Sequence, residues 1–158
     1  MKPLVGWVTL IVLLSPLVSS GQGNRRSTNL QTLFVGAWRL AWLEEPDADG
    51  NMHRADCTGS LVYTRDGHMS VQVMYRNSPA ANKSVPVQYA QGGYEASYGS
   101  YQINDAHTFT FHVGGALVRT LIGKDLKRAY ELSSNQMIVK SADPNEHWKV
   151  TWERYNHE

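Results

Sequence analysis

Residues 57–75, CTGSLVYTRDGHMSVQVMY, constrain the fold more than any other stretch, because they set a strand pair, its register and its inner face together. Two runs rich in Val, Leu, Tyr and Met flank Thr64-Arg65-Asp66-Gly67, and Asp-Gly between alternating hydrophobics is a strong hairpin signal. With Asp66-Gly67 as a two-residue loop, Leu61 would face Gln72 and Tyr63 would face Ser70, mixing polar and apolar residues on both faces. With Arg65-Asp66-Gly67 as a three-residue loop and Gly67 left-handed at a bulge, Tyr63 faces Met69, Leu61 faces Val71 and Gly59 faces Val73. That register leaves Ser60, Val62, Thr64, His68, Ser70 and Gln72 on the other face, as a half-buried antiparallel sheet requires.

The same period of two runs through the chain. Gly36, Trp38, Leu40 and Trp42 alternate in GAWRLAWL, which predicts a first strand with Trp38 and Trp42 inward. Residues 94–104 place Gly99, Tyr101 and Ile103 on one face. Residues 107–113 turn Phe109, Phe111 and Val113 inward, and His112 outward. In 126–132 the residues Arg128, Tyr130 and Leu132 share a face, and in 147–155 Trp148, Val150, Trp152 and Arg154 do. The charged stretch 44–56 reads as a loop or ragged hairpin. Residues 76–93, with two prolines and Gly92-Gly93, are too long for a plain turn and read as a loop at a cavity mouth or a chain without fixed structure. Eight or so strands without a convincing amphipathic helix predict an all-β protein, an eight-stranded antiparallel up-and-down barrel. Closure removes exposed edges and leaves interior room for side chains or one small ligand.

At 158 residues and 42% hydrophobic content there is room for one domain and one core. A net charge of +1 carries no argument for nucleic acid or an anionic membrane surface. Residues 1–20, with Lys2 ahead of an apolar run and small residues at Val18 and Ser20, have the pattern of a signal peptide cleaved before Gly21; an uncleaved anchor is the alternative. Cleavage predicts a secreted or lumenal protein without stable membrane insertion, with a flexible lead-in over 21–33 and a barrel domain over 34–156. Asn82-Lys83-Ser84 is an N-glycosylation sequon, so Asn82 is a candidate acceptor. Cys57 is the single cysteine, which excludes an intramolecular disulfide; at a strand start it reads first as a small buried hydrophobe, with a reactive thiol as the alternative.

Gly36-Ala37-Trp38 is similar to the Gly-x-Trp signature on the first strand of lipocalins and their calycin relatives, and Arg154 resembles the arginine that those proteins lay across that tryptophan. A guanidinium over an indole face is attracted by about 0.5–2 kcal/mol and closes the barrel bottom. More broadly, GAWRL at 36–40, GSLVYTRDGHMSVQ at 59–72, YGSYQIN at 98–104, IGKDLKRAYEL at 122–132 and WERY at 152–155 resemble, in order, the small lipocalin-like domain family of bacteria and fungi. The resemblance implies a lipocalin-like barrel. It also implies binding, cyclisation or isomerisation of a hydrophobic intermediate without a cofactor, because some fungal members belong to natural-product pathways. Where members carry a histidine on the strand after YGSYQIN, this chain has Phe111, with His112 beside it.

The chemistry open to such a barrel lies in its inward polar groups. No phosphate loop, nucleophile elbow or dinucleotide fingerprint is present, and the six histidines show no ligand-pair spacing, so no metal or cofactor is expected. Arg128 falls on an apolar face, where an unpaired charge is costly, and no Asp or Glu is expected inward to pair it. It is a candidate to hold an enol, phenolate or carboxylate, with Tyr63, Tyr101 or Tyr130 as proton donors; the alternative is an arginine reaching solvent at a strand end. Trp42, Leu61, Val71, Phe109, Phe111 and Trp148 are the expected walls for a small hydrophobic molecule. His53 and Asp56 form a second candidate pair near the mouth. Two readings follow: a cofactor-free cyclase, isomerase or dehydratase, or a non-catalytic carrier of a small apolar ligand.

Overall fold

The structure is a computed structural model and describes residues 30–47, 49–77 and 89–155. The candidate signal peptide, most of the lead-in, and Asn82 with its sequon lie outside the described residues. Nine strands follow in order: β1 Gly36–Pro46, β2 Met52–Arg54, β3 Cys57–Tyr63, β4 His68–Tyr75, β5 Tyr94–Ile103, β6 Thr108–Ala116, β7 Asp125–Leu132, β8 Gln136–Ser141 and β9 Lys149–Arg154. All neighbours pair antiparallel, and β1 pairs both β3 and β9. Eight strands therefore close a barrel, while β2 is a short ribbon on the end of β1.

The β3–β4 hairpin has the three-residue loop. Tyr63 pairs Met69, Leu61 pairs Val71 and Gly59 pairs Val73, with Gly67 at φ +85°. The loop is held by Thr64, whose hydroxyl donates to Asp66 and accepts from the His68 amide. Alternation then carries inward Leu61, Tyr63, Met69, Val73, Tyr101, Phe109, Phe111, Val113, Arg128 and Tyr130, all buried.

In β1 the alternation breaks. Leu40 pairs Trp152 but Trp42 pairs Thr151, so Ala41 is an extra residue. A one-residue bulge exchanges the faces of everything after it. Leu43 and Glu45 turn inward and are buried, while Trp42 turns out beneath the Arg54 guanidinium, 4.6 Å from its ring. The expectation that Trp42 faces inward is thereby corrected.

One barrel end is plugged. A helical turn over 30–34, which includes the last residues of the expected lead-in, delivers Phe34 into a nest of rings. Tyr63, Phe109 and Tyr130 meet it edge-on at centroid distances of 5.1, 5.6 and 4.8 Å, and Tyr101 stacks at 5.8 Å. Arg154 lies 4.0 Å over the Trp38 ring and donates to the carbonyls of Leu33, Val35 and Ser134. It ties the plug to the barrel wall.

Gly36 makes room for this arginine. Its φ is +134°, and a Cβ there would sit 2.6 Å from Arg154 Nη1. Gly36→Ala is expected to lower the unfolding free energy by about 1–3 kcal/mol, seen as a lower urea midpoint at unchanged slope. An unmoved midpoint would mean that backbone and guanidinium relax freely.

Candidate functional site

The other barrel end opens into a cavity of about 250 Å³, just below the ~300–1,000 Å³ of common ligand pockets. That size suits a compact molecule more than an extended or polycyclic one. Glu45 and Pro46 at the end of β1, Tyr89, Leu121 and residues 145–148 line this end. Leu61, Val71, Phe109 and Phe111 form the barrel wall of the cavity, and Trp148 closes one side near the mouth. Leu43 occupies the place in the wall expected for Trp42. The middle of the 76–93 connection, 78–88, lies outside the described residues; its far end places Tyr89 on the cavity.

Arg128, Glu95, Glu45 and Tyr63, all on strands, are among the polar groups that interrupt this apolar lining. Arg128 on β7 is buried mid-strand, which corrects the alternative that it reaches solvent at a strand end. Its guanidinium lies 4.9 Å from the centroids of both the Tyr89 and Trp148 rings, which meet each other edge-on at 6.0 Å, and 3.9 Å from the Glu146 carboxylate. Glu146 in turn accepts from the Tyr89 hydroxyl at 2.7 Å and from Trp148 Nε1 at 3.1 Å. Charge and aromatic faces together hold the arginine where an isolated one would be too costly.

Glu95 on β5 pairs in register with Val73, whose side chain is in the core, and so points into the cavity. Burial pushes its carboxyl up to about 7, and the Arg128 charge holds it below what burial alone would give. By surface area Glu95 is half-buried, because it faces the cavity space and protein surrounds its other sides. Glu45, the buried carboxyl placed by the β1 bulge, accepts from Tyr75 Oη at 2.8 Å. Burial raises its pKa too, partly offset by that hydrogen bond and by His53. The expectation that no acid faces inward is thus overturned by Glu95 and Glu45 on the strands and Glu146 from the 142–148 connection. Tyr63, at the cavity floor, is the fourth group. Its hydroxyl is buried and has no hydrogen-bond partner among the described residues, and its pKa is raised by burial.

A family model described as lipocalin-like domain matches residues 35–155. The chain belongs to the lipocalin-like domain family. This lipocalin-like barrel is compatible with a small hydrophobic ligand, and its cavity lies at the end away from the Trp38–Arg154 closure. No curated protein matches the chain. Among solved structures it is similar to a lipocalin-like protein from Bacteroides uniformis ATCC 8492, with 14% identity, a TM-score of 0.46, and coverage of 77% of this chain and 98% of that one. An uncharacterized protein from Bacteroides eggerthii DSM 20697 is similar at 17% identity and a TM-score of 0.45, over 77% of this chain and 99% of that one. A redesigned β-barrel matches at 12% identity and a TM-score of 0.43, over 80% and 95%.

Within the lipocalin-like barrel, two of the three tyrosines expected to serve the cavity point the other way. Tyr101 donates to the Thr64 carbonyl at 3.1 Å and Tyr130 to the Asp105 carbonyl at 2.9 Å, both at turns of the plugged end. They belong to the Phe34 nest, and of the three only Tyr63 lines the cavity. Phe111 is on the cavity wall, whereas His112 faces out and bonds Asp125 at 2.6 Å. His53 and Asp56 are not brought together: His53 pairs with Glu45 in the β1–β2 ladder, and Asp56 bonds Asn77 and Arg76. Cys57 is half-buried and its thiol is pushed up to about 11 by burial and by Glu45 and Asp56, which makes it a poor nucleophile. Among the described residues no three His, Cys, Asp or Glu gather at metal-ligand geometry, and no helix is long and apolar enough to cross a membrane.

Glu95 was within reach of the sequence. Continuing the alternation back from Tyr101 through Gly99 and Ser97 arrives at Glu95. Glu45 was not, since the bulge at Ala41 leaves no local signature.

Proposed function

We propose that this lipocalin-like chain is a cofactor-independent acid–base enzyme, an isomerase, cyclase or dehydratase acting on a small hydrophobic natural-product intermediate. The observation that carries the reading is the carboxyl of Glu95 on the wall of an apolar cavity, beside Arg128 and with its proton affinity raised to about 7. A general acid or base works best with a pKa near the working pH, and burial is the usual means of moving a carboxyl there. As carboxylate, Glu95 would take a proton from a carbon next to a C=O or C=N group of the substrate. As the resulting acid it would return that proton to a different carbon, shifting the double bond, or to a departing hydroxyl, releasing water. Arg128, already engaged by Glu146 and two rings, would keep Glu95 from staying protonated rather than grip an anion itself. Secretion, inferred from the N-terminal pattern, belongs to the same proposal.

A carrier is the second reading, favoured by the apolar majority of the lining. Native mass spectrometry of the protein from its producing organism, followed by denaturation and analysis of the released compound, separates the two. The enzyme reading expects a weakly retained compound that is an isomer of, or one water lighter than, another compound of the same extract, and a rate that rises with pH through about 7 with the ionisation of Glu95. Stoichiometric retention of one unchanged compound, with no conversion over days, would replace it with the carrier.

A further inference from the structure

Acids outnumber bases around the cavity. Glu45, Glu95 and Glu146 face it, against the guanidinium of Arg128 and the imidazole of His147. The Arg128 charge is already shared, with Glu146 at 3.9 Å and the edge-on pair of Tyr89 and Trp148 rings at 4.9 Å. No ion pair among the described residues includes Glu95 or Glu45. Burial raises the proton affinity of both, which is the effect a cationic partner opposes. The Tyr63 hydroxyl on the floor of the same cavity lacks a partner among the described residues. An unmet buried hydroxyl costs stability until a ligand atom meets it. Phe109, Phe111, Trp148 and Trp152 contribute rings to the lining, and ring faces attract cations.

We propose that the ligand of this cavity carries a basic nitrogen, as an ammonium or iminium, seated against Glu95 with its apolar part among the aromatic rings, and that an anionic head is rejected. The inference names the substrate class for the acid–base reading above and rests on this cavity being the ligand site. A carboxylate head would add a fourth carboxyl group to a space holding one guanidinium, and a desolvated negative charge without a counter-charge of its own is costly. A protonated amine instead supplies the missing counter-charge and lets Glu95 ionise. Amine affinity then rises as Glu95 loses its proton, and binding below neutral pH releases that proton into solution. Among the described residues, the titratable groups that share the cavity with Glu95 are Arg128 on β7, Glu45 on β1, Tyr63 on β3, Tyr75 on β4 and Tyr89, with Glu146 and His147 from the 142–148 connection. The Glu95 variant separates the contribution of this carboxyl from that of the other groups.

The test is calorimetric titration of the whole mature protein with tryptamine, indole-3-propionate and 3-ethylindole, which share a ring and differ in head charge. Tryptamine is expected to bind at least about tenfold more tightly than indole-3-propionate at pH 8. Its affinity is expected to gain about tenfold between pH 6 and pH 8, the change in the ionised fraction of a group titrating near 7. At pH 6.5 its heat should depend on the buffer's ionisation enthalpy, reporting proton release. Glu95→Gln should remove the proton release and most of the pH dependence, and Glu45→Gln should leave the release in place. Equal or tighter binding of 3-ethylindole or indole-3-propionate overturns the amine assignment, as does an unchanged profile in Glu95→Gln. Failure of all three probes to bind overturns it as well. The acid–base reading itself is decided separately, by the product analysis above.

Discussion

Phe34→Ala is expected to lower the unfolding free energy by about 3–5 kcal/mol, with a drop in Tm of roughly 10–20 °C. The ring is fully buried and touches four aromatic neighbours, three edge-on and one stacked. The loss therefore combines removed apolar area, a cavity that the strands cannot collapse into, and edge contacts of about 0.5–1.5 kcal/mol each in favourable geometry. With Phe34 gone, the helical turn over 30–34 is left to polar contacts such as the Trp38 Nε1 bond to the residue-34 carbonyl, the Arg154 bonds to Leu33 and Val35 and the Gln31 bond to the Arg65 carbonyl. Chemical denaturation with intrinsic tryptophan fluorescence reads both effects. A loss under about 1 kcal/mol would show that the barrel end is closed by its own strands and that the plug adds little.

Glu95→Gln is expected to reduce turnover by about 10²–10⁴-fold, the usual contribution of a positioned acid or base. Glu45→Gln, one carboxyl away and already held by Tyr75, is expected to cost far less. The same substitution has an opposite effect on stability. The carboxyl of Glu95 has an ordinary pKa of 4.5 and titrates at about 7 in the folded chain. Between those pH values the unfolded chain gives up its proton and the folded chain keeps it, so folding becomes less favourable as pH rises. Above pH 7 the penalty reaches about 3 kcal/mol at most. Gln carries no such penalty, so the variant is expected to be more stable than the parent at pH 8 and nearly equal to it at pH 4. An inactive and more stable variant is the signature of a group kept for chemistry at the expense of the fold. Equal stability at both pH values would remove the argument that burial tunes Glu95.

Most of the barrel was legible because its evidence is local. The Arg65-Asp66-Gly67 loop sets the parity of two strands, and parity assigns Leu61, Val71, Phe109 and Phe111 to the inside without knowledge of the partners. The Gly36, Trp38 and Arg154 set was legible from family resemblance, and its reason became visible in space: the guanidinium fills the place of a Cβ at Gly36. Tyr101 and Tyr130 were assigned to the correct face and the wrong end. Alternation tells inside from outside, but height along the barrel axis depends on strand stagger, which the closed sheet sets.

The sequence by itself determined an all-β chain, its antiparallel meander, the register of the central hairpin and the inward parity that, followed to its end, includes Glu95. These are properties of period-two alternation and of turn residues, and both act over a few neighbouring positions. Only the tertiary structure decided that Ala41 is a bulge, because an extra residue is recognised only against the partner strand β9. It also decided that Arg128 meets Trp148 together with Tyr89 and Glu146, the last two of which come from connections and have no parity to read. The candidate chemistry depends on those encounters, since a carboxyl is tuned by the burial and charge that closure gathers around it.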